Sequence, residues 1–434
     1  MSELARERQA TGSLDLASLA KRYAPWIATA LLFLVLPRIF GSGTALTTMS
    51  LMGIMIVFAL SYNMLLGQTG MLSFGHAVYY GLGAFCAIHA MNVVVRNDLP
   101  IPLIFIPLVG GLGGLFFGVL FGSVTTRRSG TAFAMISLGL AELVASSSLI
   151  LRTFFGGEEG ITTNRTKLFR IFDWNFGPQV QVYYLIAAWC FICIVAMYAL
   201  TRTPFGRMCN AVRDNPERAE FVGYNPTIVR LVALSLSGFF AGIAGALAVI
   251  QFELANSTYV GALQSGIVLL AAYLGGVGFF IGPALGAILV TYLQVMLSDV
   301  TPVWQLYFGL LFVGMVMFAP FGLAGLLMMH QPLWRAGVLH RLAAPYAMAL
   351  IPLLLTVAGV ILIIEATYRV TVGASEGTTL TLFRLSFDAA RAGPWVFAVS
   401  CLAAGVLLFR FVGPRLRSAW SDALTTARAQ GFAL

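Results

Sequence analysis

Charge is scarce in this chain of 434 residues: 10% of it is Asp, Glu, Lys or Arg, against about 25% in a soluble domain. Lysine is nearly absent. Of 26 basic residues only Lys21 and Lys167 are lysines, and neither follows a glycine-rich loop. A P-loop needs such a lysine to reach the nucleotide phosphates, so the chain is not its own ATPase by that route. No H-E-x-x-H and no G-x-S-x-G occurs. No apolar run carries the paired carboxylates that proton-coupled carriers use. Histidine is limited to four residues, which leaves no cluster of His and acids to suggest a membrane enzyme. Cysteine is limited to Cys86, Cys190, Cys193, Cys209 and Cys401. Cys190 and Cys193 form a C-x-x-C, but no second pair completes a metal site, and the two read as buried thiols on one helix face. No disulfide framework is expected.

What the chain has in abundance is apolar sequence: 59% hydrophobic residues and a mean hydropathy of +0.88. A chain this apolar cannot cover a globule with polar surface. It reads as a polytopic, all-α integral membrane bundle, because only helices and closed barrels satisfy their backbone in lipid and nothing here alternates like a barrel strand. The expected spans are residues 25–40, 44–66, 71–95, 101–122, 131–152, 181–200, 229–251, 263–274, 279–298, 303–319, 343–364 and 395–412. Residues 1–24 lack an apolar signal core and read as a cytoplasmic tail before an uncleaved first span. With all twelve spans crossing and the N-terminus inside, 17 of the 26 basic residues fall inside. That bias places both termini in the cytoplasm. Residues 263–274 are the weak point, since twelve residues reach only about 18 Å.

Two glycine-rich breaks interrupt the apolar text. One is "GQTGMLSFG", residues 67–75, followed by His76; the other is "GGVGFFIGP", residues 275–283. Interrupted segments in corresponding positions of two halves are a pointer to a transport pathway, where unwound backbone can line a cavity. The competing reading is close helix packing by small residues. Gly67, Gly70, Gly75, Gly275, Gly276 and Gly278 are the candidate bending or lining positions, with Ser73, His76 and Tyr79 as candidate pathway polarity. Glu142 is the clearest acid inside a span, either a substrate or proton site or a hydrogen-bonded structural group; Glu253 and Glu365 lie at span ends.

The largest polar island, residues 201–230, has helix-capping grammar. Thr203 precedes Pro204, Asn215 precedes Pro216, and Gly223 follows as a stop. Between them, residues 217–222 form a short predicted helix with Arg218 and Glu220 on polar faces and Phe221 and Val222 free for a partner. The island reads as a cytoplasmic docking element. Residues 154–179 and 253–263 form external islands. In the first, Glu158, Glu159 and Asp173 with Arg165, Lys167 and Arg170 could meet a soluble partner by charge.

Five stretches in order, "LLGQTGMLSFGHAVYYGLGAF", "AFAMISLGLAELV" with "GGEEGIT", "TPFGRMCNAVRDNPERAEFVGYN", "GGVGFFIGPALGAILV" and "MFAPFGLAGLL", resemble the M-type membrane subunit of branched-chain amino-acid ABC importers. The resemblance covers roughly residues 44–327 and gives a core at 25–327, with 328–434 as an extension of about two more spans. It implies about 10–12 transmembrane helices in pseudo-symmetric halves, a bacterial inner-membrane location and no catalysis or cofactor in this chain. It also implies partners: an H-type sister permease, two cytoplasmic P-loop ATPases that use the ATP, and a periplasmic substrate-binding protein. The coupling element would be Arg207, Arg213, Glu217, Arg218, Glu220, Phe221 and Gly223. The substrate would be a branched-chain or related amino acid; the alternative is a stand-alone secondary transporter or channel for small amphipathic solutes. The acidic "GGEEG", where the family more often has an uncharged polar residue, is a departure that bears on the binding-protein contact.

Overall fold

The computed structural model describes residues 16–169, 174–372, 379–382 and 385–430. The tail at 1–15, with Arg6 and Arg8, lies outside the described residues, as do Arg170, Asp173 and Arg384. The chain divides into two compact units, Met1–Met296 and Leu297–Leu434.

Unit one contains α1 (Leu16–Ile39), α2 (Gly43–Thr69), α3 (Ala77–Arg96), α4 (Ile106–Thr125), α5 (Thr131–Ile150), α6 (Gln179–Arg202), α7 (Pro204–Asp214), α8 (Pro216–Phe221), α9 (Pro226–Phe252), α10 (Ala262–Gly275) and most of α11 (Gly282–Val300). Unit two holds α12 (Trp304–Phe318), α13 (Gly322–Arg335), α14 (Ala343–Thr371) and α15 (Ala392–Ala429). Among the described residues nine helical stretches are long and apolar enough to cross a membrane, or ten if α12 and α13, bent by 41° at their junction, count as one span. Of the twelve expected spans, 263–274 corresponds to α10, Ala262–Gly275, which is too short for a full crossing, and the first lies in α1, whose fully described part is Tyr23–Ile39.

The core of unit one is α2 and α9, the two most enclosed spans. Their apolar residues run around the whole helix rather than along one stripe, as expected of helices surrounded by protein. α9 meets α4 through small residues at three- or four-residue spacing: Gly110, Gly114 and Gly118 of α4 face Ser235, Gly238, Gly242 and Ala246 of α9. A Cβ on Gly114 would run into the Gly238 carbonyl. Lipid gives helices no hydrophobic reason to associate, so van der Waals contact between closely approaching backbones holds this pair together.

On one side of the bundle, β1 (Ile161–Thr162) pairs antiparallel with β2 (Leu254–Ala255). Arg165 locks this side. Its backbone N–H donates to Glu253 Oε1 at 2.7 Å, and its guanidinium donates to the carbonyls of Ile250, Gln251 and Phe176. A cation over the last carbonyls of α9 satisfies both their lone pairs and the helix dipole. Arg165 was expected among charges free to meet a partner; its guanidinium is instead committed to capping α9. Glu158 and Glu159 remain exposed on this side.

Candidate functional site at the interrupted helices

Both glycine breaks exist, and each has a form that the sequence did not specify. The first occupies residues 70–76. Gly70 ends α2 in the left-handed region (φ 69°), with its N–H on the carbonyls of Leu65 and Leu66. Gly67 is still helical. The chain then doubles back along α2: Tyr62 Oη donates to the Ser73 carbonyl at 3.1 Å, and His76 lies 3.0 Å from Ser61 Oγ. By His76 the chain has therefore returned to the level of Ser61, nine residues back from Gly70, or about 13 Å of helix. The start of α3 lies inside the bundle, not at its edge.

Unwound backbone at that depth must find partners. Serines from two other helices supply them. Phe74 N–H donates to Ser137 Oγ of α5, and Ala77 N–H to Ser265 Oγ of α10, each at 3.0 Å. Ser61 donates its only hydroxyl proton to the Phe58 carbonyl at 2.7 Å, so His76 donates to it through Nε2. His76 Nδ1 is then an acceptor, buried and without a hydrogen-bond partner among the described residues. Phe58 stacks on the imidazole at 5.5 Å, and Tyr62 and Tyr79 meet it edge-on at 5.2 and 5.9 Å. Ser73 and His76 are enclosed, at 1% and 0% exposure. A Cβ on Gly75 would overlap the Ser137 carbonyl.

The second break, residues 276–281, is a hairpin turn rather than a kink within one helix. Gly275 abuts the Gly282 carbonyl and Gly286 abuts that of Ala271, so α10 and α11 run antiparallel in close backbone contact. Gly276 takes φ 105°, and Gly278 is exposed with open space around its Cα.

The shortness of α10 also has a reason. Residues 257–260 form a 3-10 turn whose Tyr259 and Val260 pack on Gly81 of α3. Gly81 is fifteen residues from Arg96, so this turn sits about 22 Å in from the α3 terminus. The segment at 256–261, built around this 3-10 turn, enters the bundle ahead of α10. The expectation that 253–263 is only an external island is corrected: its second half is inside. The first turn of α10 carries no side-chain cap, and Leu263 and Gly266 are exposed there.

The two breaks converge at Gly67. A Cβ placed there would lie 2.9 Å from the Val277 carbonyl of the second turn. From the polar island, Arg213 Nη1 donates to the Gly67 carbonyl at 2.5 Å. The Arg213 side chain crosses over Gly70, and its Nε pairs with Asp214 at 3.0 Å. A guanidinium thus sits on one carbonyl of the last turn of α2, where the helix dipole is negative.

The island folds as its caps dictate. Thr203 Oγ1 accepts from Gly206 N–H at 3.4 Å to start α7, and Asn215 Oδ1 accepts from Arg218 N–H at 2.9 Å to start α8. The expected helix over 217–222 is found one residue earlier, at Pro216–Phe221. Gly223 follows at φ 94°. Cys209, Val212 and Ala219 pack on Val229 and Ala233 of α9. Burial pushes the Cys209 thiol up to about 12. The other face is bare: Arg207, Glu217, Arg218 and Glu220 are exposed, Phe221 is 91% exposed and Val222 72%.

Glu142 does not join the His76 cluster. It projects, exposed, from the middle of α5, beside exposed Ile136, Gly139 and Leu143. Ser61, Ser137, Ser237 and Ser265, which hold the first break, were missed in the sequence. Their signal was weak, since isolated serines in apolar runs are common.

The family described as "Branched-chain amino acid transport system / permease component" matches residues 44–320. The high-affinity branched-chain amino acid permease protein LivM of Salmonella typhimurium is 26% identical over 294 residues, 62% of this chain and 67% of that protein. A probable branched-chain amino acid permease protein of Methanocaldococcus jannaschii is 23% identical over 62% of this chain and 90% of its own length. The fructose import permease protein FrcC of Rhizobium meliloti is 27% identical over 48% of this chain and 60% of its own. No solved structure matches. The multi-pass apolar helices, the interrupted spans and the family match over 44–320 agree, and the chain belongs to the family of branched-chain amino acid transport system permease components.

Proposed function

We propose that the chain is a transmembrane subunit of an ATP-driven importer for branched-chain or related amino acids. It works beside an H-type sister permease, two cytoplasmic P-loop ATPases and a substrate-binding protein at the opposite face. The observation that carries this reading is the Arg213 bridge. An exposed, doubly capped island is of little use to a self-contained carrier. Here the island is bonded directly to the carbonyl of Gly67, where both interrupted segments meet.

In this reading Phe221 and Val222 seat in an ATPase groove, flanked by Arg207, Glu217, Arg218 and Glu220. ATP-driven closure of the ATPases moves α7 and α8 as one body, since their buried residues form a single cluster with α9. Arg213 carries the displacement to the end of α2. Gly70, Gly275 and Gly276 absorb the backbone change, and the chain at 70–76 shifts along α2. Ser73, His76 and Tyr79, enclosed in this conformation, then face the pathway. Two helices, α3 and α10, begin inside the bundle, and their positive dipole ends suit the carboxylate of an amino acid. Glu142, exposed on α5, faces the sister subunit across the pathway and attracts the ammonium group. Relatives named for fructose import and for autoinducer 2 import are also similar to this chain, so the substrate class rests on this carboxylate and ammonium chemistry.

The test is purification of the tagged chain in mild detergent from its native host, followed by mass spectrometry. The reading requires two P-loop ATPases and a second permease to co-purify. Arg218→Glu with Glu220→Arg sheds the ATPases and keeps the permease. A chain that elutes alone in wild-type form refutes the importer reading.

A further inference from the structure

We infer that one end of unit two is a binding platform for anionic phospholipid headgroups. The segments that build it are the end of α13, the turn into α14 and the last third of α15. They lie beyond the residues matched by the family at 44–320, and the transport reading gives them no role.

α15 is 38 residues long, about 57 Å of helix, whereas a hydrocarbon core is about 30 Å thick. It overshoots the membrane by several turns. The overshoot is held rather than loose. Ala423 and Ala427 of α15 are buried against Leu333, Val338 and Leu342, with Trp420 and Leu424 beside them. His330 of α13 is the pin. Its Nδ1 donates to the Leu326 carbonyl at 2.6 Å, its Nε2 accepts from Tyr346 Oη of α14 at 2.7 Å, and its ring meets Trp420 of α15 at 5.0 Å. One imidazole therefore ties three helices together.

The depth of this end follows from the α14–α15 contacts. Gly359 packs on Ala398 and Leu402, and Gly405 on Pro352 and Thr356, so the helices run antiparallel. Stepping back from Thr356 to the start of α14 brings one level with about residue 418 of α15. Tyr346, Trp420 and the exposed Trp334 thus lie near one level, where an aromatic belt meets the headgroups.

At and beyond that level the surface is cationic. Residues 322–345 and 415–430 contain Arg335, Arg341, Arg415, Arg417 and Arg428 against a single acid, Asp422. All five arginines are exposed. None is in an ion pair among the described residues. Arg391, toward the other end of α15, is paired with Asp388 at 3.3 Å. Four to eight basic residues just outside a membrane span attract anionic lipid at about 1 kcal/mol each, and guanidinium groups bind phosphate oxygens in pairs. Arginines on a pinned scaffold at headgroup depth, flanked by tryptophan and tyrosine, meet both conditions. Arg335, Arg341, Arg415 and Arg417 are the principal ligands.

The test uses the full chain in a zwitterionic detergent, titrated with phosphatidylglycerol or phosphatidylcholine while the unfolding midpoint is followed. Phosphatidylglycerol is expected to raise the midpoint saturably, and phosphatidylcholine is not. Each of Arg335→Gln, Arg341→Gln, Arg415→Gln and Arg417→Gln is expected to weaken the apparent affinity about fivefold. The fourfold Arg→Lys variant keeps the charge and retains most of the response. Equal shifts from both lipids, a shift of the same size from inorganic phosphate, or unchanged affinity in every Gln variant would overturn the platform. None of these readouts depends on transport or on partner subunits.

Discussion

At the residue scale, the account turns on a few backbone positions. Gly70 holds φ 69° with the Arg213 side chain 3.0 Å from where a Cβ would stand. A left-handed alanine costs about 1–2 kcal/mol before that contact is counted. Gly70→Ala is therefore expected to lower the unfolding midpoint in detergent by a few degrees; an unchanged midpoint would show that the turn relaxes freely. Cys209 supplies a second check. Its thiol is buried and pushed up to about 12 by that burial, so at neutral pH it is protonated and shielded. Maleimide is expected to label a Phe221→Cys variant readily and to leave Cys209 unmodified in the same molecule. Comparable labelling of both would mean that α7 does not pack on α9 as described. The glycine clusters, His76 and the capping residues were legible because clustered glycines, a histidine in an apolar run and the Thr203–Pro204 and Asn215–Pro216 pairs are local patterns. The partners of the unwound segment were not. Ser137 and Ser265 lie 63 and 188 residues from the groups they satisfy, and sequence carries no local trace of such pairings.

At the scale of elements, the caps at Thr203 and Asn215 placed the island helices to within a residue, since capping is a local interaction. The interrupted spans were harder to read. A run of glycines marks a departure from helix, but whether the chain kinks, doubles back or forms a hairpin depends on what packs beside it. Residues 70–76 double back along α2, whereas 276–281 close a hairpin on glycine contacts. The short α10 follows the same rule: the segment at 256–261 ahead of it, with its 3-10 turn, packs inside the bundle on Gly81, which no local pattern marks. The glycine faces of α4 and α9 yield a prediction of their own. Gly114→Val places methyl groups where the Gly238 carbonyl stands. Overpacking of that kind costs about 1–3 kcal/mol or more, so the variant is expected to lose most of its folded, monodisperse protein in detergent. Gly393→Val, at a site with nothing within 4 Å, should not, and equal losses for both would put the cost down to helix propensity rather than packing.

For the whole molecule, composition alone was enough to place the chain in a membrane, because no fold hides this much apolar surface in water. Sidedness is a separate matter, argued from the basic bias of one set of loops. Two single cysteines test it in intact cells or oriented vesicles. A membrane-impermeant thiol reagent is expected to reach Glu158→Cys from outside and Phe221→Cys only after permeabilisation. The reverse pattern would invert the topology and with it the assignment of the island to the ATPases.

The central claim is that the island drives the interrupted helices through the Arg213–Gly67 bond. Its most direct test is the assembled importer in proteoliposomes carrying Arg213→Gln or Arg213→Lys, with ATP hydrolysis and amino-acid uptake measured together. The account predicts that Arg213→Gln keeps the ATPases bound and hydrolysing while uptake falls at least tenfold, and that Arg213→Lys restores part of the uptake. Uptake and hydrolysis that remain coupled at wild-type levels in Arg213→Gln would contradict it.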